Sequence, residues 1–467
     1  MEEKYVKLAK DLRDILHSSE VQTYHKEKRN FHDGKHTIQS LGIAIDEDLD
    51  IIVDSKLDWG RSSVDYMMNS LRFDAFRPPE FGATRLMYET NGYAVANSAI
   101  KNSLIGACAF VSTRPGDTSK GEPLVVHTAY AGHEATGRYS SSTGELEAGL
   151  VIEKYKRDPA GGVHSYLYFT PGLVTRLDEN LRPVKVYELP INKVALTPFV
   201  FNQDLARKPL GESYFTRGAV NAAEAALRML TVIQISSEVS GVPHYIITGS
   251  IQNPDGLDQA RIDSVLATIS KFIDTTGTGK LDIHQLTAQS PKPIIDAYNV
   301  FANNYASQMR VPLSLVGFIP SNGALSADQS IESSRPFDAL VENARDVYGQ
   351  AIRNMAYLGM SMLQGSTKNS YNRLIPVFRE SLDKTRIGAL GDAIQKNKEF
   401  FTEDDITDLK LQYGLSLRNS LVNVEYPNFG EQKFKIEDVS VDESGALLLD
   451  TKTVPGLGGV EDVNPIG

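Results

Sequence analysis

Apolar positions at helical spacing open the chain, give way to short β-rich runs, and return. Tyr5, Leu8, Leu12, Ile15 and Leu16 recur every three or four residues in a segment otherwise full of charge, which predicts one helix face. YHKEKRNFHDGKHTIQSLG then reads as a polar connection, with Gly34 as a turn residue. Val64, Met67, Met68 and Leu71 fall at i, i+3, i+4 and i+7, so 61–71 is a second helix with that face in a core. From 106 to 201 the runs ACAFVS, PLVVHTAY, LEAGLVIEKYK, HSYLYFT and VKVYELP are separated by RPGD, SSSTG and DPAGG. Several antiparallel strands with meander connections are the natural expectation.

Helix returns over 216–240, with Ala219, Ala222, Ala226, Met229, Ile233 and Ser236 along one face, and Gly241 and Pro243 end it before a strand at HYIITG. Two helices of similar length follow. Over 257–274, Ile262, Val265, Leu266, Ile269 and Ile273 share one side; over 294–310, Tyr298, Ala302, Tyr305 and Met309 do the same. DTTGTGKLDIHQLTAQSPKP between them is too short for a domain and reads as a hairpin-like tip. After the loop SNGALSADQS comes a helix of more than thirty residues. Ser326 and Gln329 have capping-box spacing at its start, and Pro336, two turns in, removes one backbone hydrogen bond and should bend it. Leu340, Val341, Ala344, Val347, Tyr348, Ala351, Ile352, Met355 and Leu358 continue the periodicity. YNRLIPVFRES is mixed, 385–400 is an Ala/Lys helix, and from 428 onward Gly, Asp and Glu with little periodicity suggest a mobile or partner-ordered tail.

Composition narrows the function. With 467 residues, 41% hydrophobic and 23% charged, the chain has material for about three ordinary domains or one large discontinuous one, and wholesale disorder is excluded. A net charge of -11 argues against gripping nucleic acid over a broad surface, because neutralising phosphates requires clustered Lys and Arg. The charged N-terminus is unlike a signal peptide, and no apolar run approaches the roughly 20 residues of a membrane span. Cys108, the only cysteine, sits in LIGACAFV as a small buried hydrophobe, so no internal disulfide is possible. A cytoplasmic, metal-free origin fits, and no cofactor is expected.

Chemical motifs fail on inspection. TGTGK ending at Lys280 lacks the phosphate-loop pattern twice, with Asp274 at the first glycine position and Leu281 in place of the magnesium-binding hydroxyl. His32 and His36 are four apart, but Asp33 and Gly34 between them disfavour the helix that would aim both at one metal. No G-x-S-x-G, H-E-x-x-H or C-x-x-C occurs, so no enzyme signature is present.

The order of these pieces resembles the portal proteins of tailed bacteriophages, in particular siphophage portals with a relatively short chain, over about 24–400. YHKEKRNFHDGKH, LDWGRSSVDYMMNSLRFDAF, LGESYFTRGAVNAAEAALRML, SGVPHYIITG, ANNYASQMRVPLSLVGF followed by SNGALSADQSIES, and VFRESLDKTRIGALGDAIQK carry the resemblance. It implies an α+β portal fold: a wing over 1–256, stem helices over 257–274 and 294–319 flanking a clip over 275–293, a tunnel loop over 320–326, a long bent helix and wing or crown base over 327–400, and a short crown with a mobile tail over 401–467. Phe378 stands near where many relatives carry tryptophan, and an obvious long helical crown is missing.

The resemblance further implies a homo-oligomeric ring, usually of twelve copies, at one capsid vertex. Double-stranded DNA would pass through it during packaging and ejection without sequence specificity. Terminase would dock on one side and head-completion or adaptor proteins on the other, with major capsid or scaffolding protein around it and no membrane. The channel-lining loop would be Ser321, Asn322, Gly323, Ala324, Leu325 and Ser326, and Lys280 and Lys292 could meet DNA or the motor from the clip. Solvated lysines remain the plainer reading of those two. A loop against which a long polymer slides must fit without adhering, since each cation paired with phosphate adds salt-sensitive affinity and so friction. Small neutral side chains would serve passage. Rival readings are another virion structural protein, such as a minor capsid or head-tail connector protein, and an enzyme with a diffuse active site, such as a nuclease.

Overall fold

Period-two alternation in the β-rich run decides where the largest sheet is buried: a helix covers one face, and a smaller sheet with the end of the long helix covers the other. The computed structural model describes residues 3–35, 56–77, 82–155, 163–241, 244–248, 271–274, 282–286, 292–317, 327–364, 369–378, 436–441 and 447–450. The chain divides into two compact units, one made of 1–33, 60–215 and 333–467, the other of 34–59 and 216–332.

In chain order the first unit contains α1 (Glu3–Leu16), α2 (Ser19–His32), most of α3 (Trp59–Ser70), β1 (Phe73–Arg77), α4 (Ala83–Glu89) and α5 (Gly92–Gly106). Next come β2 (Cys108–Pro115), β3 (Val125–Ala131), β4 (Ala135–Tyr139), β5 (Leu146–Tyr155), β6 (Val163–Thr170), β7 (Leu173–Asp178), β8 (Pro183–Glu188) and β9 (Leu196–Val200). The second unit holds α6 (Arg217–Gly241), β10 (His244–Thr248), β11 (Lys271–Asp274), β12 (Asp282–Leu286), α7 (Lys292–Met309) and the start of α8 (Ala327–Gln364). Most of α8 belongs to the first unit, with β13 (Ile375–Phe378), β14 (Ile436–Val441) and β15 (Leu447–Asp450).

The expected meander is present: β4 to β8 are antiparallel neighbours in a seven-stranded sheet ordered β15-β14-β8-β7-β6-β5-β4. Ala148, Leu150 and Ile152 of β5, with Tyr166 and Tyr168 of β6, pack against Leu8, Ala9, Leu12 and Leu16 of α1. Val151 and Phe169, one residue out of phase, join Ala135, Phe110 and Val200 with Leu358 and Met362 of α8 on the opposite face. Each face is apolar because successive side chains of a strand point to opposite sides. Burying a side chain such as Leu12 contributes about 1.5–3 kcal/mol. A second sheet, β3-β2-β9, is antiparallel throughout.

The long helix matches its expected extent, with Pro336 inside it. Fully buried Tyr348 stacks on Phe199, its ring centroid 6.4 Å away, and places its hydroxyl 2.7 Å from Ser103 Oγ on α5. Arg345 donates through Nη2 to the Ser70 carbonyl at 2.9 Å, satisfying the open end of α3. Phe378 lies in β13, which pairs antiparallel with β1.

Several expectations need correction. The supposed polar connection at the start of YHKEKRNFHDGKH is helical: α2 is capped by Ser18, whose Oγ accepts from Val21 N–H at 3.3 Å, and runs to His32. Its charges are the solvated face of a helix that buries Phe31 and His32 on the other. Helices α4 and α5 are not foreseen by the pattern, because Ala96, Ala99, Ile100, Ser103 and Leu104 give α5 a buried face of mostly small residues with weak contrast. The tail after 428 is not uniformly structureless: β14 pairs with β8, and β15 with β14. Two short runs, IEDVSV and LLLD, are enough to extend an open sheet edge.

In the second unit, Lys271–Asp274 was expected to end the first stem helix and is instead strand, parallel to β10. Parallel neighbours require a crossover of a dozen or more residues, and 249–270 supplies the length. The proposed helix over 257–270 lies outside the described residues, as does the one over 385–400. Within the proposed clip, β12 closes the sheet antiparallel to β10, and residues 292 and 293 already belong to α7. Helices α6 and α7 pack through small side chains, Ala219, Ala223 and Ala226 on one and Ala302 and Ala306 on the other, all buried. A Cβ at Gly218 would stand 3.3 Å from the Gln308 amide, so the two helices approach closely there.

Candidate functional site: the frame of the 320–326 loop

Ser321, Asn322, Gly323, Ala324, Leu325 and Ser326, and Lys280 of the clip, lie outside the described residues. Lys292 is the exposed first residue of α7. What is described is the frame that delivers the chain to the loop: α7, the turn after it, and α8, which starts at Ala327.

Helix α7 stops sharply at Met309, one residue before the end its periodicity predicts at Arg310, whereas the stem segment drawn from the resemblance ran on to 319. Arg310 adopts a left-handed conformation at φ 56, Val311 N–H donates to the Ala306 carbonyl at 3.0 Å, and Arg310 N–H donates to the Ser307 carbonyl at 3.3 Å. These two bonds form a Schellman stop, which satisfies carbonyls that the helix end would orphan. Buried Val311 and Ala306 supply the apolar contact that accompanies it. Pro312, lacking an N–H, cannot continue an α-helix and caps a 3-10 turn over Leu313–Val316.

Tyr298 ties that turn, and two further rings back it. Trp59, 6% exposed, lies 5.0 Å from Tyr305 and 5.9 Å from Tyr298 by ring centroids. The Tyr298 hydroxyl donates to the Val316 carbonyl at 3.4 Å, and burial pushes its phenol pKa upward. Gly317 follows at φ 66, a conformation that side-chain-bearing residues rarely adopt. The turn therefore ends at a position whose backbone conformation favours glycine. From Phe318 to Ser326 the sequence has no charged side chain.

Chemistry elsewhere is sparse. Cys108 is buried and its thiol is pushed up to about 12 by desolvation, which leaves it inert as a nucleophile. His32 is buried beside Asp33, its Nδ1 2.8 Å from Oδ1, while His36 lies outside the described residues. Among the described residues no cluster of three His, Cys, Asp or Glu could hold a metal. No helix among them is long and apolar enough to cross a membrane.

No protein-family model and no curated protein matches the chain. Among solved structures, the chain is similar to one in the neck of a native gene transfer agent particle computed with C12 symmetry, with a TM-score of 0.42, 12% identity, and coverage of 77% of this chain and 90% of that one. It is also similar to one in the virion of a native gene transfer agent particle, with a TM-score of 0.41, 13% identity and the same coverages.

Proposed function

We propose that the chain is a portal protein, a non-enzymatic subunit of a ring, usually of twelve copies in that family, set at one capsid vertex. DNA would pass through the ring during packaging and ejection, and terminase and head-completion proteins would dock on it. The observation that carries this reading is the series α7, braced turn, charge-free segment, and 38-residue helix with an internal proline. That series falls in the order and spacing of the portal-like sequence pieces. A turn held by buried rings beside a neutral segment suits a loop that must keep its position while a charged polymer moves past it without adhering.

Purified protein should form particles with a central hole and a mass near a dozen copies of the 51.4 kDa chain, measured by native mass spectrometry and electron microscopy. A strictly monomeric species in every condition would reject the reading. Lys substituted at both Asn322 and Ala324 should leave rings intact while slowing packaging, read as DNA protected from nuclease inside heads. Unchanged packaging would reject the role assigned to the loop's neutrality.

A further inference from the structure

A cleft of about 420 Å³ opens in the first unit between α2, the C-terminal half of α5 and the turn joining β3 to β4. Its lining brings together Lys26, Arg29, His25, His133, Asn102 and Gln22, and includes no Asp or Glu. Glu134, next to His133, is not part of the lining and has its Oε2 engaged by the Ala131 N–H at 3.2 Å. Arg29 donates through Nη2 to Asn102 Oδ1 at 2.7 Å, a neutral partner that orients the guanidinium and leaves its charge unpaired. No carboxylate pairs with Lys26 or Arg29 among the described residues.

The slot for His25 is built. Its ring fits where two glycines leave room: a Cβ on Gly106 would come 2.7 Å from Nδ1, and one on Gly132 would come 2.5 Å from Cε1. The His133 ring lies 6.1 Å away, tilted by 53°. Burial, then the neighbouring His133 and Arg29, hold the His25 pKa at about 4, so at neutral pH it offers one N–H and no charge. Two cations, Arg29 and the rim residue Lys26, thus face a cleft whose lining holds no counter-charge, an arrangement that favours an anion there.

We propose that this cleft binds a phosphate-type oxyanion, with Arg29 and Lys26 supplying charge and His25 and Asn102 supplying directed hydrogen bonds. A tetrahedral oxyanion, with acceptors pointing in several directions, matches donors that converge from two helices, α2 and α5, better than a planar carboxylate does. The cleft exceeds what one such group fills, so waters or an organic remainder share it. This inference does not depend on ring formation.

The test is calorimetric titration of the full-length protein with inorganic phosphate. Saturable binding is expected, weakened about tenfold or more in Arg29→Gln, since losing a charge-assisted bond costs on the order of 1.5–3 kcal/mol. Lys26→Gln, at an exposed rim position that cannot perturb folding, should weaken it less but measurably. Arg13→Gln, on α1 and away from the cleft, should change nothing. A competition arm identifies the source: displacement of phosphate by short duplex DNA assigns the site to backbone phosphates, and failure to displace assigns it to a free phosphate or phosphomonoester. Absence of saturable binding in the wild type, or wild-type affinity in both Arg29→Gln and Lys26→Gln, overturns the proposal.

Discussion

The two units use aromatic residues in contrasting ways. In the first, Phe110 and Tyr168 are buried on opposite faces of the large sheet and Phe199 and Tyr348 stack between the smaller sheet and the long helix, so the stabilisation is spread over several broad layers. In the second, Trp59, Tyr298 and Tyr305 cluster against a single turn, next to a segment of small neutral residues. The contrast teaches that position is maintained by different means: a wide surface by many shared contacts, a single short turn by a few large rings.

The largest effect should come from removing the brace. Trp59→Ala is expected to lower stability by about 3–5 kcal/mol, the range for deleting a large buried ring, as measured by circular dichroism during denaturant unfolding. A loss under about 1 kcal/mol would show that the rings merely fill space beside the turn, erasing the contrast.

A pH effect of intermediate size belongs to the first unit. His127 is buried, with Nδ1 3.1 Å from Thr113 Oγ1, and desolvation lowers its pKa from 6.5 to about 4. The unfolded chain therefore binds a proton between those values that the folded chain refuses. The stabilisation from keeping this ring neutral is fully present above pH 6.5 and is lost as pH falls toward 4, amounting to about 3 kcal/mol. Unfolding free energies measured from pH 7 to 4 should show that slope, and His127→Gln should flatten part of it. An unchanged slope in the variant would place the proton uptake on other groups.

The smallest effect is conformational. Gly317 and Gly121 have φ values of 66 and 76, and no atom would crowd a Cβ at Gly121. Alanine at either should cost about 1–2 kcal/mol for the left-handed backbone alone. If the braced turn aims the 320–326 loop, only Gly317→Ala should also reduce packaged DNA. Equal packaging in both variants would deny the turn that part.

Much of this architecture was legible from local pattern. The faces of α1 and α3 follow from Leu8, Leu12 and Leu16 and from Val64, Met67 and Leu71, all buried as the spacing requires. The long helix was legible through Val341, Ala344, Tyr348, Ile352 and Met355, also buried, although Val347 in the same run is 41% exposed. Helix α2 is hidden in the sequence because its density of charge resembles that of a loop, and α5 because alanine and serine give little contrast between its faces. The channel assignment rests on resemblance and neutrality; the Schellman stop at Arg310 spans only 306–311, whereas the approach of Trp59 to Tyr298 and Tyr305 joins positions that no short window contains.

The amino-acid order alone determined the strongly patterned elements, the apolar faces of α1, α3 and α8 and the strands of the meander, because spacing of three or four residues on a helix and alternation along a strand are written among near neighbours. Only the tertiary structure decided that β14 joins β8, that β13 joins β1, and that His25 meets His133 in a cleft without a carboxylate. Those meetings depend on which surfaces remain open once the local elements have buried their apolar faces, a competition among distant segments that no local pattern records.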